Sequence, residues 1–174
     1  MCISFNTHVL SIKDSFLYYY DETIAKKGAD EVTSILYKFC MNHLCLDVIS
    51  LEGFYNVCAG WNKKFTVLRF MCWIVHIVRH FDSLRMVFPV CGHSYIECDK
   101  NFGLLNQRTD VGAPADWRKE LCAAREKPRP FGAIKCEQNL LKRVNRVWSG
   151  VRPNCSYIID KVFYQTLYLT FIIC

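Results

Sequence analysis

The sequence lacks the short motifs that identify several classes of enzyme. It has no glycine-rich phosphate loop, no nucleophile elbow and no Cys-x-x-Cys pair. Its 11 cysteines are odd in number and follow no disulfide spacing. We therefore expect them to act as small buried hydrophobes in a reducing compartment rather than as a disulfide framework.

Long apolar runs are also scarce. Residues 163–174 are strongly apolar, but a transmembrane helix needs about 20 such residues. The N-terminal residues Met1–Phe5 have neither the basic flank nor the long apolar core of a signal peptide. The sequence therefore predicts an intracellular protein, of the nucleus or cytoplasm, with no membrane partner.

Acidic residues are fewer than basic ones, and the net charge is +6. The excess is concentrated between Arg118 and Arg152, where ten Lys or Arg residues face only three Glu residues. A basic segment of this kind fits an anionic partner such as DNA. An ordinary solvated surface would have the same composition, so both interpretations stay open.

The apolar pattern predicts a single α/β core followed by a helical extension. Strands are predicted at 5–12, 15–22, 48–55 and 84–88, and helices at 31–44, 62–80 and 94–106, with Asp30 as a helix cap. Further helices are predicted at 116–124 and 137–148. The initial hairpin followed by helical crossovers favours a mixed-sheet ribonuclease-H-like fold that lacks its first strand.

Three regions are predicted from this organisation. The truncated core spans 1–108, a basic and mainly helical extension spans 109–155, and an apolar tail spans 156–174. The last segment, 157–174, is compatible with a final strand or with sequence that has no evolved role.

Two polar turns each follow a predicted strand and precede a predicted helix. The first contains Asn56 and Lys63–Lys64, and the second contains His93, Glu97 and Asp99. In α/β folds, catalytic carboxylates and phosphate-binding backbone commonly lie at such junctions. The second turn has an acid, Asp99, whereas the first has an amide, Asn56, where an acid would be expected.

These turns carry a resemblance to a family of transposon-derived proteins of animal genomes, whose shared region has a ribonuclease-H-like, transposase-type character. The similarity covers roughly residues 5–150. Its matching phrases are 20–23, 27–32, 58–60, 62–63, 65–67, 69–70, 88–90, 92–95 and 97–101.

The resemblance implies metal-dependent phosphoryl transfer on DNA by acids on the first strand, on the fourth strand and on a later helix, which hold two divalent metals. The fourth-strand acid corresponds to Asn56 and the helical acid to Asp99, while the first-strand acid would precede Met1. An amide oxygen can ligate Mg²⁺ but brings no negative charge. The resemblance therefore implies a degenerate active site.

Our leading hypothesis is a catalytically degenerate, transposase-derived protein with a residual role in binding nucleic acid or a protein. One alternative is an active nuclease or integrase that uses Mg²⁺ or Mn²⁺, with Asp99, Glu97 and Asp21 as ligands. The other is a non-functional transposon remnant. The candidate nucleic-acid contacts are Lys63, Lys64, His93, Lys142, Arg143 and Arg146.

Overall fold

The computed structural model describes residues 2–45, 47–55, 65–87, 96–107, 117–139 and 166–173; for Cys2, Phe65 and 166–173 it describes the backbone alone. These residues form six strands and four helices. They are β1 (Cys2–Val9), β2 (Asp14–Asp21), α1 (Ala29–His43), β3 (Ser50–Tyr55), α2 (Phe65–His76), β4 (Ser83–Val87), α3 (Glu97–Asn106), α4 (Trp117–Ala123), β5 (Gly132–Lys135) and β6 (Thr166–Ile173).

All six strands belong to one mixed sheet in the order β4-β3-β6-β1-β2-β5. Strands β1 and β2 form an antiparallel hairpin, and β5 adds to β2 in parallel. Strands β3 and β4 pair in parallel. Strand β6 lies between the two groups, antiparallel to β1 and parallel to β3. The predicted mixed α/β architecture is therefore confirmed.

The first face of the sheet packs against α1 and α2. Successive side chains of a strand point to opposite faces, so the odd-numbered Ile3, Phe5 and Val9 of β1 share one side. They form the larger core with apolar residues of α1 and α2, including Phe39 and Phe70, all of them almost fully buried. Removing this apolar surface from water is the main stabilisation of the fold.

The second face, which we call the α3 face, is covered by α3 and by the segment around α4. Its apolar core is smaller and contains Leu17 of β2, Phe102 and Leu105 of α3, and Phe131. The even-numbered residues of β1 belong to this face, and two of them, Asn6 and His8, are polar and buried. The α3 face therefore combines a small apolar core with buried polar groups.

The predicted core elements agree with the observed ones to within a few residues, with two instructive differences. Asp30 is not the cap of α1, because the helix begins at Ala29 and its N-cap is Gly28. Asp30 instead lies in the first turn, where its charge favours the helix dipole. The predicted helix 62–80 ends earlier, at His76, and its first three residues lie outside the described part of the chain.

The C-terminal extension differs more from its prediction. Among the described residues beyond 108 there are one short helix, α4, and two strands, β5 and β6. Both strands belong to the sheet formed by β1–β4. Most of the predicted helix at 137–148 lies outside the described residues. The proposed division into three regions stays a prediction.

Candidate functional site

The two acids predicted for a metal site both lie in the first turn of α3. Asp99 is exposed, and partial desolvation raises the pKa of its carboxyl group, while a hydrogen bond from the Ile96 backbone opposes this rise. Glu97 forms an ion pair with Lys100 on the same helix. Residues two apart on a helix do not face each other, so Glu97 and Asp99 are poorly placed to share an ion.

The other predicted site residues are Asn56, Lys63, Lys64, His93, Lys142, Arg143 and Arg146, and all lie outside the described residues. Within the described segments no group of three His, Cys, Asp or Glu side chains converges in a way that could hold a metal ion. The third acid considered, Asp21, ends β2 and accepts a hydrogen bond from the Thr23 backbone at 2.7 Å. The predicted metal site stays a prediction.

A different group of polar residues is brought together beneath α3. We call it the Arg125 cluster, and its members are Asn6, His8, Ser15, Asn101 and Arg125. Each is at most 7% exposed. His8 and Ser15 are directly opposite each other in the β1–β2 ladder, and Asn6 lies two residues from His8 on the same face. Asn101 reaches the group from α3, and Arg125 follows α4.

Arg125 is held in a fixed position by the cluster. Its Nη1 donates to Ser15 Oγ at 2.8 Å and to Asn101 Oδ1 at 3.3 Å. Its Nε donates to the carbonyl of Arg129 at 2.7 Å, and its guanidinium stacks 4.2 Å from the centre of the Phe131 ring. A planar guanidinium with several fixed partners is an oriented group rather than a freely moving surface charge.

Asn101 joins Arg125 to the strands. Its Nδ2 donates to Asn6 Oδ1 at 3.2 Å and to Ser15 Oγ at 3.1 Å. Ser15 Oγ thus accepts from both Asn101 and Arg125, which occupies its two lone pairs. Its hydroxyl proton therefore points to His8 Nδ1, 2.7 Å away. It follows that Nδ1 is unprotonated and that the neutral His8 ring carries its proton on Nε2.

Two donors of this network have no partner among the described side chains. They are Asn6 Nδ2 and Arg125 Nη2, and both are buried. A buried donor without an acceptor costs on the order of 1–3 kcal/mol, and more for a charged group. The cluster is therefore rich in donors and carries unused hydrogen-bonding capacity.

Charged residues surround the margin of the cluster. Asp14 forms an ion pair with Arg129 at 3.1 Å, and Glu97 pairs with Lys100. Burial lowers the pKa of the Arg125 guanidinium, whereas the Asp14 and Glu97 carboxylates oppose this effect. Burial likewise lowers the pKa of His8, with Glu97 opposing and Arg125 reinforcing the change. The interior of the cluster thus has a cation that no carboxylate of the described residues contacts directly.

The geometry limits what the cluster can do. The Ser15–His8 hydrogen bond resembles that between a nucleophile and its base. However, Ser15 is 2% exposed and His8 5% exposed, so neither is open to a bulky substrate. The donors around Arg125 suit a small group rich in acceptor oxygens better than a metal cation, because a guanidinium repels cations.

Sequence reasoning did not identify this cluster. The useful signal was the pair Asn6 and His8, two polar residues within a segment that otherwise has the pattern of a strand. Residues two apart in a strand point to the same face, so this pair indicates a polar patch on one side of the sheet. Asn101 offered a similar signal, since it shares the inner side of α3 with Cys98 and Leu105. Nothing in the local sequence marked Arg125 as buried, because it lies in a polar, basic segment.

Comparison of the chain with family models, curated proteins and solved structures found no match. In the part of the chain that the structure describes, no helix combines the length and apolar character needed to cross a bilayer. Function is therefore argued from the residues themselves.

Proposed function

We propose that this chain is a catalytically degenerate, transposase-derived protein whose remaining role is to bind nucleic acid. The observation that carries the proposal is the composition of β6. This strand lies in the middle of the sheet, between β1 and β3, and reads Thr-Leu-Tyr-Leu-Thr-Phe-Ile-Ile. The resemblance implies catalytic acids on strands of the sheet, and β6, a central strand, contains no acidic residue.

The remaining acids support the same proposal. Of the two catalytic positions that the resemblance assigns to residues of this chain, Asp99 is an acid and Asn56 is neutral. Two divalent metals at such a site would keep most of their charge uncompensated. Glu97 is already engaged by Lys100. Phosphoryl transfer through Mg²⁺ or Mn²⁺ is therefore not part of the proposed role.

The binding role is supported by exposed basic residues at one edge of the sheet. Arg118 and Lys119 of α4, Lys127, and Lys135 of β5 are all exposed. Strand β5 is the edge strand next to β2. Cations at this edge can neutralise DNA phosphates, which releases counterions and makes the affinity depend on salt. We call these four residues the basic edge.

The first experiment measures DNA binding by fluorescence anisotropy between about 50 and 200 mM salt, a range over which phosphate contacts weaken steeply. We expect affinity to fall with salt. The triple variant Arg118→Gln, Lys119→Gln, Lys127→Gln should have a log–log slope smaller by about 1 for each phosphate that it no longer neutralises. The double variant Lys26→Gln, Lys27→Gln is the matched control. A DNA affinity that does not change with salt concentration would indicate a protein partner instead.

The second experiment tests the enzyme alternative directly. Purified protein is incubated with plasmid DNA and either Mg²⁺ or Mn²⁺, and nicked products are measured. We expect no nicking above background. Metal-dependent nicking that is lost in Asp99→Ala but kept in Glu126→Ala, which removes an exposed acid elsewhere, would overturn the degenerate interpretation.

A further inference from the structure

We propose that the Arg125 cluster is a binding site for one small tetrahedral oxyanion of the phosphate class. The site lies beneath α3 and is separate from the basic edge. It goes beyond the proposed nucleic-acid binding, because it concerns a single oxyanion held by buried donors rather than phosphates neutralised at the surface. Its experiment is therefore independent of DNA.

The first argument is charge. Arg125 is 7% exposed, and its contacts among the described residues are a hydroxyl, an amide oxygen, a backbone carbonyl and an aromatic ring. All of these are neutral. A buried cation without a counter-charge is expensive, and buried charges in proteins are normally paired. An oxyanion bound at Arg125 would supply the missing charge.

The second argument is the pair of unused donors. Within the described part of the chain, Arg125 Nη2 and Asn6 Nδ2 are buried without partners, and Asn6 is 0% exposed. Both belong to one network, since Asn101 contacts Asn6 through Nδ2 and Arg125 through Oδ1. A phosphate has several acceptor oxygens and can satisfy such donors together.

The third argument is that nearby carboxylates do not fill this role. Asp14 pairs with Arg129, and Glu97 pairs with Lys100. These two carboxylates only oppose the lowering of the Arg125 pKa by burial, and neither forms an ion pair with it. Their repulsion of an incoming anion is offset by the cations that they pair with. Among the described residues, Arg125 then remains the buried charge without a counter-ion.

The test measures the thermal unfolding of the full chain in inorganic phosphate and in chloride at matched ionic strength. We expect a saturable rise of Tm with phosphate that chloride does not reproduce. Calorimetric titration with inorganic phosphate gives the affinity, which should be at least about tenfold weaker in Arg125→Met because the charge and fork of the guanidinium are removed. The control is Lys135→Gln, which removes an exposed cation outside the cluster and should keep the phosphate response.

A second variant keeps the proposal testable if Arg125→Met does not fold. Asn6→Asp retains the acceptor for Asn101 and replaces an unused donor by a carboxylate oxygen. We expect it to be more stable than the wild type in chloride and insensitive to phosphate. The proposal is wrong if phosphate does not raise the Tm of the wild type, or if it raises the Tm of Asn6→Asp by the same amount.

The source of the phosphate group is decided by comparing ligands. Inorganic phosphate and a 5′-mononucleotide share the chemistry that the cluster recognises, and titration with each identifies which one enters. Equal binding of sulfate would show that the site binds tetrahedral dianions in general, which also supports the proposal. Loss of DNA binding in the basic-edge variant with a retained phosphate response separates this site from the proposed function.

Discussion

The buried histidine of β1 shows how one residue couples the cluster to pH. His8 accepts a hydrogen bond from the Ser15 hydroxyl at Nδ1 and lies near the Arg125 cation, so the neutral ring fits its surroundings. Burial is the main reason that its pKa is lower than the ordinary value of 6.5, and Arg125 and Lys100 act in the same direction. Asp14 and Glu97 act in the opposite direction without reversing it.

This shift predicts a stability change with a definite sign. Above about pH 6.5 the ring is neutral in both the folded and unfolded chains. As pH falls below about 6.5, the unfolded chain binds a proton before the folded chain does. The free energy of unfolding therefore decreases until the pH reaches the lower pKa of the folded state, by at most about 1.4 kcal/mol per pH unit. Urea unfolding at pH 7.5 and 5.5 measures this loss.

The variant His8→Gln removes the titrating ring and should show a smaller loss over the same pH range. His43, whose pKa is also lowered by burial, remains in both proteins, so the difference between them isolates His8. Identical pH profiles for the two proteins would contradict the prediction.

Asn101 is the residue whose removal should damage the cluster most. It makes hydrogen bonds to Asn6, Ser15 and Arg125, and it is 3% exposed. In Asn101→Ala, the Oδ1 atom of Asn6 loses the donor that Asn101 supplies and remains buried. We expect a loss of about 3 kcal/mol in the free energy of unfolding. Gln107→Ala, at the exposed position that follows α3, should change stability by no more than about 0.5 kcal/mol.

The cluster shows why the candidate site was only partly predictable. Asp99 and Glu97 were found because a short local pattern marks the start of α3. The Arg125 cluster depends on contacts between residues 86 to 110 positions apart, such as Asn101 with Ser15 and Arg125 with Ser15. No local pattern encodes these pairs, since the sheet register and the position of α3 decide them together.

At the scale of the element, prediction succeeded where periodicity is strong. The β1–β2 hairpin, α1, β3 and β4 were all anticipated, because alternating or helical apolar patterns identify them. Strand β5 was missed because it has only four residues and follows a proline-containing segment that signals extended chain. Its place is fixed by parallel pairing with β2, more than 110 residues earlier in the chain.

Two glycines give opposite predictions for the same substitution. A Cβ at Gly53 of β3 would lie 2.6 Å from Cε2 of Tyr55, whose ring is buried. Gly53→Ala should therefore destabilise the protein by about 1–3 kcal/mol, because the ring must shift in a packed core. A Cβ at Gly103 of α3 would meet nothing within 4 Å.

Gly103→Ala is thus the matched control, and it should stabilise the protein by up to about 1 kcal/mol through helix propensity. Thermal or urea unfolding of both variants measures the pair. Stabilisation by Gly53→Ala would show that the space beside Tyr55 is larger than the structure indicates.

At the scale of the whole molecule, the sheet depends on β6. The other strands form two groups, β4-β3 and β1-β2-β5, and β6 pairs with one member of each. Residues Val9 of β1 and Gly53 of β3 both lie opposite Leu169 in the two ladders. The segment 157–174 allowed two interpretations from sequence, and the position of its described residues, 166–173, in the sheet favours the one with a final strand.

A proline at Leu169 tests this dependence. Proline has no backbone donor and is not tolerated in the middle of a sheet, so Leu169→Pro should cost about 3 kcal/mol or more. Leu169→Val keeps the donor and a strand-forming side chain, and it should fold like the wild type. Because β6 links both groups of strands, we expect its disruption to separate them, with a weaker near-ultraviolet circular dichroism signal and new binding of a hydrophobic dye. Equal stability of the proline variant and the wild type would mean that the two groups of strands hold together without β6.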